Sequence, residues 1–306
     1  RHVRKNHNFF DVPVLSQYYQ HPLDQDLFFA VSLVSFVDKS GEKSSFYGAS
    51  SNKDYLSAIR VSCYEIFERM LASRAFYSDD EIAQGFSSYY LFSNQPTSKI
   101  IPAENVLIRG QSDKLNKIIS ASGLGFNSSI THAISHATLE LLERHILCKI
   151  WYDNWHVHEI DSPEQLPEQY KISFFTVDLG IPFVMALITC ENNPIFFTGS
   201  SLSNNFYLAK LKARSEALHL LTNLLFGKLE SQFGNPTESI NIIKTLVGED
   251  AVKRLNFFNN KINKKLLSLD GSNISLLQIC KNILLDPEKI EVIELKRWKD
   301  FRLVRV

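Results

Sequence analysis

Glutamate pairs spaced for one face of a helix are the chemically informative feature of this 306-residue chain. Glu65-Ile66-Phe67-Glu68-Arg69 recurs as Glu140-Leu141-Leu142-Glu143-Arg144, and both read Glu-x-x-Glu-Arg. Each residue turns an α-helix by ~100°, so the two carboxylates of a motif lie ~60° apart on one face with an arginine beside them. A third helical stretch holds Lys212 and Glu216 one turn apart, with Ala209 and Ala213 flanking Glu216 on its own face. Lys before Glu is the weaker orientation for a helix-stabilising pair, so stabilisation alone explains it poorly. Converging carboxylates repel and raise one another's pKa unless a cation sits among them. Oxygen-only ligation selects a hard ion such as Mg2+, which keeps waters and bridges to phosphate. One reading of these residues is therefore a Mg-nucleotide site built on helix faces; solvated helix surfaces produce the same spacing. Small residues around Glu65 (Ala58, Ser62, Ala72) would leave room for a ligand, while Ile59, Cys63, Ile66, Phe67, Met70 and Leu71 gather on a bulkier arc.

His132 and His136 lie one turn apart and precede Glu140 by another turn, so His132, His136, Glu140 and Glu143 fall within an ~80° arc. Imidazoles at i and i+4 can share a transition metal, but no His-Glu-x-x-His pattern is present and a structural pair fits as well. Gly123-Leu124-Gly125 begins a dinucleotide-like pattern, yet Ser128 occupies the third glycine position. No Gly-x-x-x-x-Gly-Lys-Ser/Thr occurs, so any ATP is not bound by a P-loop.

The elements that must position these residues alternate between helical and strand-like patterns. Residues 28–36 and 45–48 read as strands around the turn 38–42, and a helix follows at about 55–75. Phe86 to Arg109 reads as a hairpin, and Ser122-Gly123-Leu124-Gly125 feeds a helix over about 129–150. Strands are expected at 172–178, 183–190 and 194–198, then a helix at about 205–226. The stretch 228–290 is polar and helical in pattern, with Lys261, Lys264 and Lys265 read as a solvated helix face, and strands close the chain. The fold class is α/β, mixed α+β, divided into a lead-in of strands and helix over 1–54 and a region over 55–306 that carries the glutamate motifs, which the resemblance described below implies is catalytic.

Lys+Arg 33 against Asp+Glu 33 gives a net charge of +0, so no global field draws the chain to nucleic acid or an anionic membrane. The longest apolar runs fall far below the ~20 residues of a spanning helix. Cys63, Cys148, Cys190 and Cys280 stand singly, without a Cys-x-x-Cys pair, and read as reduced core thiols of a cytoplasmic protein. The sequence begins without Met and stops at Val306 within an apparent strand, which suggests further residues at both ends.

In order and spacing these residues resemble the YcaO family, specifically its azole-forming cyclodehydratases from peptide natural-product (thiazole/oxazole-modified microcin) pathways. Ser62 to Arg69 is similar to the family's Ser-x-x-Glu-x-x-Glu-Arg helix. Ser122-Gly123, leading through Ala133 to Glu140-Leu141-Leu142-Glu143-Arg144, resembles its central signature. Lys99 to Ala103, Asp178 to Pro182, Thr198-Gly199-Ser200 and Val292 to Val306 agree in order more loosely.

The resemblance implies a YcaO-like fold, in which sheets flanked by long helices turn acidic helix faces toward a nucleotide site. It implies ATP and Mg2+ as cofactors, with Glu65, Glu68, Glu140, Glu143 and Glu216 as metal ligands. Ser122, His132, His136 and Lys212 would join the glutamates in holding nucleotide. Lys212, Glu216 and Arg144 would be catalytic. Two positions depart from the family, which usually has an acidic residue in place of His132 and often Gln in place of His136. Its Pro-rich C-terminal end is not visible in this sequence.

The implied reaction closes Cys, Ser or Thr side chains of a ribosomally made precursor peptide onto the preceding amide, giving thiazoline or oxazoline rings. No leader-binding module is legible in the 54 or so residues before the first motif. A leader-binding partner subunit is therefore expected, and a flavin-dependent dehydrogenase is a further candidate partner. Thioamide or amidine formation, and a catalytically degenerate scaffold within the synthetase complex, are the alternatives.

Overall fold

The computed structural model describes residues 2–37, 43–108, 121–153, 155–160, 163–226, 247–263 and 271–306. The chain opens on four consecutive strands, β1 (His2–Phe9), β2 (Val12–His21), β3 (Asp24–Val37) and β4 (Lys43–Asn52). Helix α1 (Tyr55–Ala72) starts where the Asp54 carboxylate accepts the Ser57 N–H at 2.7 Å. The short α2 (Asp79–Gln84) begins with a capping box between Ser78 and Glu81. Then come β5 (Phe86–Tyr90), β6 (Pro96–Ile101), β7 (Leu124–Asn127) and the long α3 (Ile130–Tyr152), capped by Ser129.

Strands β8 (Val157–Glu159), β9 (Glu164–Gln165), β10 (Tyr170–Thr176), β11 (Phe183–Cys190) and β12 (Phe197–Leu202) precede α4 (Phe206–Phe226). The remaining elements are α5 (Gly248–Asn259), β13 (Ile262–Asn263), α6 (Leu276–Ile283), β14 (Glu291–Trp298) and β15 (Phe301–Arg305).

The strands form three sheets. The first runs β1-β2-β3-β4, the second β12-β11-β10-β8-β13 with β9 on β10, and the third β6-β5-β14-β15-β7. Each of the three long helices lies between two of them. Ile66 and Phe67 of α1 pack with Val14 and Val34 of the first sheet and with Leu124 and Leu303 of the third. The α3 side chains Ala133 and Ala137 meet Val292 and Val304 of the third sheet, while Leu142 and Ile146 share a core with Phe183 and Met185 of the second. Ala213 and Leu218 of α4 pack with Val184 and Phe197 of the second sheet and with Leu27 and Phe29 of the first. Sheet and helix thus alternate around a closed ring. The two-residue period of a strand makes this possible: on β3, Phe29 faces α4 while Ala30 faces α1.

The ring closes tightly because a glycine sits at each helix–strand crossing. A Cβ on Gly48 would lie 2.1 Å from the Ser62 carbonyl oxygen, one on Gly125 2.1 Å from that of Ala133, and one on Gly199 2.2 Å from that of Ala213. Only glycine admits such backbone approach. The small residues flanking the glutamates have the same purpose. Ala58, Ser62, Ala72, Ala209 and Ala213 are buried against strands, so the room read beside Glu65 is filled by the first sheet rather than by a ligand.

The expected elements are present with shifted bounds. The last of the three middle strands begins at Phe197 rather than 194, and a strand, β7, occupies the segment read as a helix lead-in. The turn 38–42 lies outside the described residues, as do Lys264 and Lys265. Lys261 is not solvated: it is buried, its Nζ donates to the Asp153 carbonyl at 3.1 Å and lies over the Phe257 ring. Cys148 is likewise exposed rather than in the core, while Cys63 and Cys280 are buried. Among the described residues no helix is long and apolar enough to cross a membrane.

Candidate active site

The three glycine crossings are built alike, and their common geometry produces the site. Strands β4, β7 and β12 are each the edge of their sheet, so their outward N–H groups need partners from elsewhere. Three residues beyond the helix carbonyl that touches the glycine stands the group that supplies one. Glu65 follows Ser62 and accepts the Ala49 N–H at 2.6 Å; Glu216 follows Ala213 and accepts the Ser200 N–H at 2.7 Å. In the middle crossing that position is His136, three beyond Ala133, which hydrogen-bonds the Leu124 backbone instead. The Phe126 backbone there is met by Glu68, reaching across from α1. Glu143 makes the matching reach from α3 to β12, accepting the Ser200 hydroxyl at 2.6 Å and the Leu202 N–H at 3.2 Å. Ser200 therefore joins Glu143 and Glu216, which come from different helices.

Four carboxylates are placed in this way at the centre of the ring, and Glu140 of α3 lies within electrostatic reach of Glu65, Glu68, Glu143 and Glu216. Burial, followed by repulsion from Glu140 and Glu65, pushes Glu68 up to about 8. Burial raises Glu140 to about 7 despite the opposing Arg144 charge, with Glu143 and Glu65 adding to the rise. Glu216 is raised to about 7 by burial and by Glu143. Burial also raises Glu65 and Glu143; Arg69, whose guanidinium pairs with Glu65 at 2.5 Å, and the Ser200 hydroxyl on Glu143 act the other way. Solvent still reaches the group, since the Glu65 side chain is 29% exposed.

Lys212 is exposed on α4 and acts electrostatically on Glu143 and His136; burial, then Lys212, holds the His136 imidazole below its ordinary pKa. Arg144 is exposed and lies within electrostatic reach of Glu140, Glu143 and Glu216. His132 is exposed on the first turn of α3, and no described hydrogen bond joins its ring to the carboxylates. Ser122 stands before β7 with its carbonyl accepting from Arg305 at 3.3 Å. Sequence reasoning missed Arg305, which also donates to the Val106 carbonyl at 2.9 Å and acts on Glu140. It also missed the bridging part of Ser200, whose only local signal is the glycine before it.

The donor set suits a hard divalent cation. It consists of carboxylate oxygens, and their raised pKa values mark charge crowding that a cation would relieve. Among the described residues no three His, Cys, Asp or Glu side chains converge closely enough to cage an ion by themselves. Mg2+ would take its remaining ligands from water and phosphate oxygens.

Three sheets and three long helices thus form a ring around clustered glutamates. A family model described as YcaO cyclodehydratase, ATP- and Mg2+-binding, matches residues 87–270, and the chain belongs to the YcaO family. No curated protein matches it by sequence. Among solved structures it resembles YcaO from Methanopyrus kandleri bound with AMPPCP and Mg2+, with TM-score 0.64 and 17% identity over 95% of this chain and 83% of that one. It also resembles the E. coli microcin synthetase McbBCD complex with pro-MccB17 bound, with TM-score 0.65 and 17% identity over 94% and 86% of the two chains. A heterocyclase in complex with substrate and cofactor aligns with TM-score 0.58 at 14% identity; the whole of this chain spans 49% of that one. These likenesses establish a shared fold.

Proposed function

We propose that the chain is an ATP- and Mg2+-dependent cyclodehydratase that activates backbone amides of a ribosomally made peptide. The observation that carries this reading is the convergence of Glu65, Glu68, Glu140, Glu143 and Glu216 from three helices in a chain of the YcaO family. These carboxylates would hold Mg2+, which supplies charge neutralisation at the transferring phosphoryl group. Lys212 and Arg144, the cations beside the carboxylates, would meet phosphate oxygens. Ser200 and the edge N–H groups of β4 and β12 fix Glu65, Glu143 and Glu216 before any ligand arrives, which is the preorganisation such catalysis requires.

In the proposed reaction a Cys, Ser or Thr side chain of the peptide adds to the preceding amide carbonyl carbon, and its proton is lost. The resulting oxyanion attacks the γ-phosphorus of ATP and ADP leaves. Expulsion of phosphate and loss of the amide proton then form the C=N bond of the azoline. The peptide loses one water per ring, and its oxygen ends in phosphate. A leader-binding partner subunit would present the precursor, and a flavin-dependent dehydrogenase could oxidise the ring afterwards.

Incubating the chain and its partner with precursor peptide, ATP and Mg2+ tests this by mass spectrometry. The expected result is loss of one water mass per ring with peptide-dependent ADP formation. Replacement of oxygen by sulfur or nitrogen in the product would instead indicate thioamide or amidine formation. Unchanged peptide with no ATP turnover would refute the reading.

A further inference from the structure

The three junctions of the ring are not equivalent. Glu68 spans the one from α1 to β7, and Glu143 spans the one from α3 to β12. From α4 to β4 no described carboxylate crosses; the Ser51 hydroxyl meets the Ser215 carbonyl at 3.4 Å. Between these elements lies a cavity of about 480 Å3, walled by β3 and β4 on one side and α4 on the other, and reaching Lys212 and Glu216 at the carboxylate centre. That volume is typical of a ligand site.

The wall formed by β4 is a sheet edge. Ala49 pairs with Val31 and Ser51 with Phe29 in an antiparallel ladder, and the Ala49 N–H is turned outward onto Glu65. Backbone groups alternate along such a ladder, so those of Ser51, like those of Ala49, point outward from the sheet edge, and Ser51 lines the cavity. The other walls combine apolar Leu27, Leu208 and Leu211 with charges of both signs, Asp24 and Asp26 against Lys53. The charges around the cleft balance, Asp24, Asp26 and Glu216 against Lys53, Lys212 and Arg214, with Arg214 already paired to Asp24, so charge alone selects neither an anion nor a cation. An outward peptide edge instead offers a donor and an acceptor to any polypeptide backbone, whatever its side chains.

We propose that this cleft receives the substrate peptide as an added extended strand along β4, paired at Ser51, so that its amide is delivered to the Glu216 and Lys212 end. The proposal rests on the reading of the centre as amide-activating and adds to it the route by which the peptide arrives.

The test titrates the full chain with a fluorescein-labelled synthetic peptide of Gly, Ser and Cys residues, read by anisotropy, and separately with Mg-AMPPCP by calorimetry. Ser51→Pro removes the outward N–H while sparing the β3 ladder, as proline on an edge strand can. It should weaken peptide binding roughly tenfold, the cost of losing one or more hydrogen bonds, and leave Mg-AMPPCP binding unaltered. Ser51→Ala should bind both as the wild type does. Leu208→Trp fills the cleft from α4 and should weaken the peptide in the same way, which keeps the test decisive if the proline variant fails to fold.

Unchanged peptide affinity in the folded variants would overturn the proposal, as would absence of peptide binding to the wild type. Loss of nucleotide affinity in its place would put nucleotide in the cleft, and a dimer abolished by Leu208→Trp would put a second copy there; either overturns it. The two readings fail separately. Water loss by variants with unaltered peptide affinity removes only the cleft, and Ser51-dependent peptide binding without water loss removes only the cyclodehydratase.

Discussion

Glu140 accepts charge pressure from two directions: Glu143 on its own helix and Glu65 across the centre raise its pKa, and Arg144 opposes them. Replacing it with Gln removes a proposed metal ligand at nearly constant shape. We expect kcat to fall by about 10²–10³, the scale of losing one preorganised electrostatic contact, while the ligand-free denaturation midpoint stays level or rises. A fall in midpoint with unchanged turnover would make Glu140 structural. The pH dependence has a defined sign. Glu68 near 8 and Glu140 and Glu216 near 7 in the fold, against 4.5 ordinarily, mean that the native state binds more protons than the unfolded state between those values. Stability from these groups is therefore lost progressively as pH rises from about 4.5 to between 7 and 8. His21 and His219, lowered by burial to about 4 from 6.5, act oppositely: their contribution is lost as pH falls from 6.5 to 4. As the imidazole contribution fades above about pH 6.5, the carboxylates dominate the slope up to about pH 8. Thermal unfolding of the ligand-free chain should show a midpoint declining between these pH values, and Mg-ATP should reverse the decline.

At the scale of elements, the helix–glycine crossing is the unit that turns sequence into site. It brings each helix close enough for a side chain three residues on to reach the edge strand: Glu65 and Glu216 meet the N–H after the glycine, and His136 meets the Leu124 backbone. Gly199→Ala would drive a Cβ to 2.2 Å from the Ala213 carbonyl and 2.3 Å from the Ala217 N, both backbone atoms that cannot swing aside. A cost of about 1–3 kcal/mol is expected from such overpacking. Urea denaturation should register it, and an unchanged midpoint would mean that the crossing is loose. The Glu-x-x-Glu-Arg pairs were legible in the sequence because their spacing is local to one helix. The purpose of the neighbouring Ala58, Ser62 and Ala213 was not, because the strand that covers them lies elsewhere in the chain. Ser200 was missed for the same reason: its hydroxyl meets Glu143 of α3 while its N–H meets Glu216 of α4.

Across the whole molecule, the three long helices and most strands could be read from pattern, but the short α2 and the ring could not. Its closure depends on pairings such as Leu124 with Arg305 and Tyr90 with Glu291, which join distant segments. Arg214 shows how α4 is held in that ring. Its guanidinium donates to Asp24 at the start of β3 and to both oxygens of Glu164 on β9, tying the first and second sheets to one helix. The side chain is 20% exposed, and charged hydrogen bonds of this kind contribute roughly 1.5–3 kcal/mol. Arg214→Met should cost about that much in urea denaturation. An undiminished midpoint would show that the apolar contacts of α4 suffice.

The central claim concerns where the amide oxygen goes. A precursor peptide labelled with heavy oxygen at the backbone carbonyls before its Cys, Ser and Thr residues, incubated with ATP, Mg2+ and the chain with its partner, reads this directly. The account predicts that the peptide loses labelled oxygen and that the label appears in inorganic phosphate, one atom per ring. Ring formation with the label released into water, or ATP cleavage with the label retained in the peptide, would contradict it.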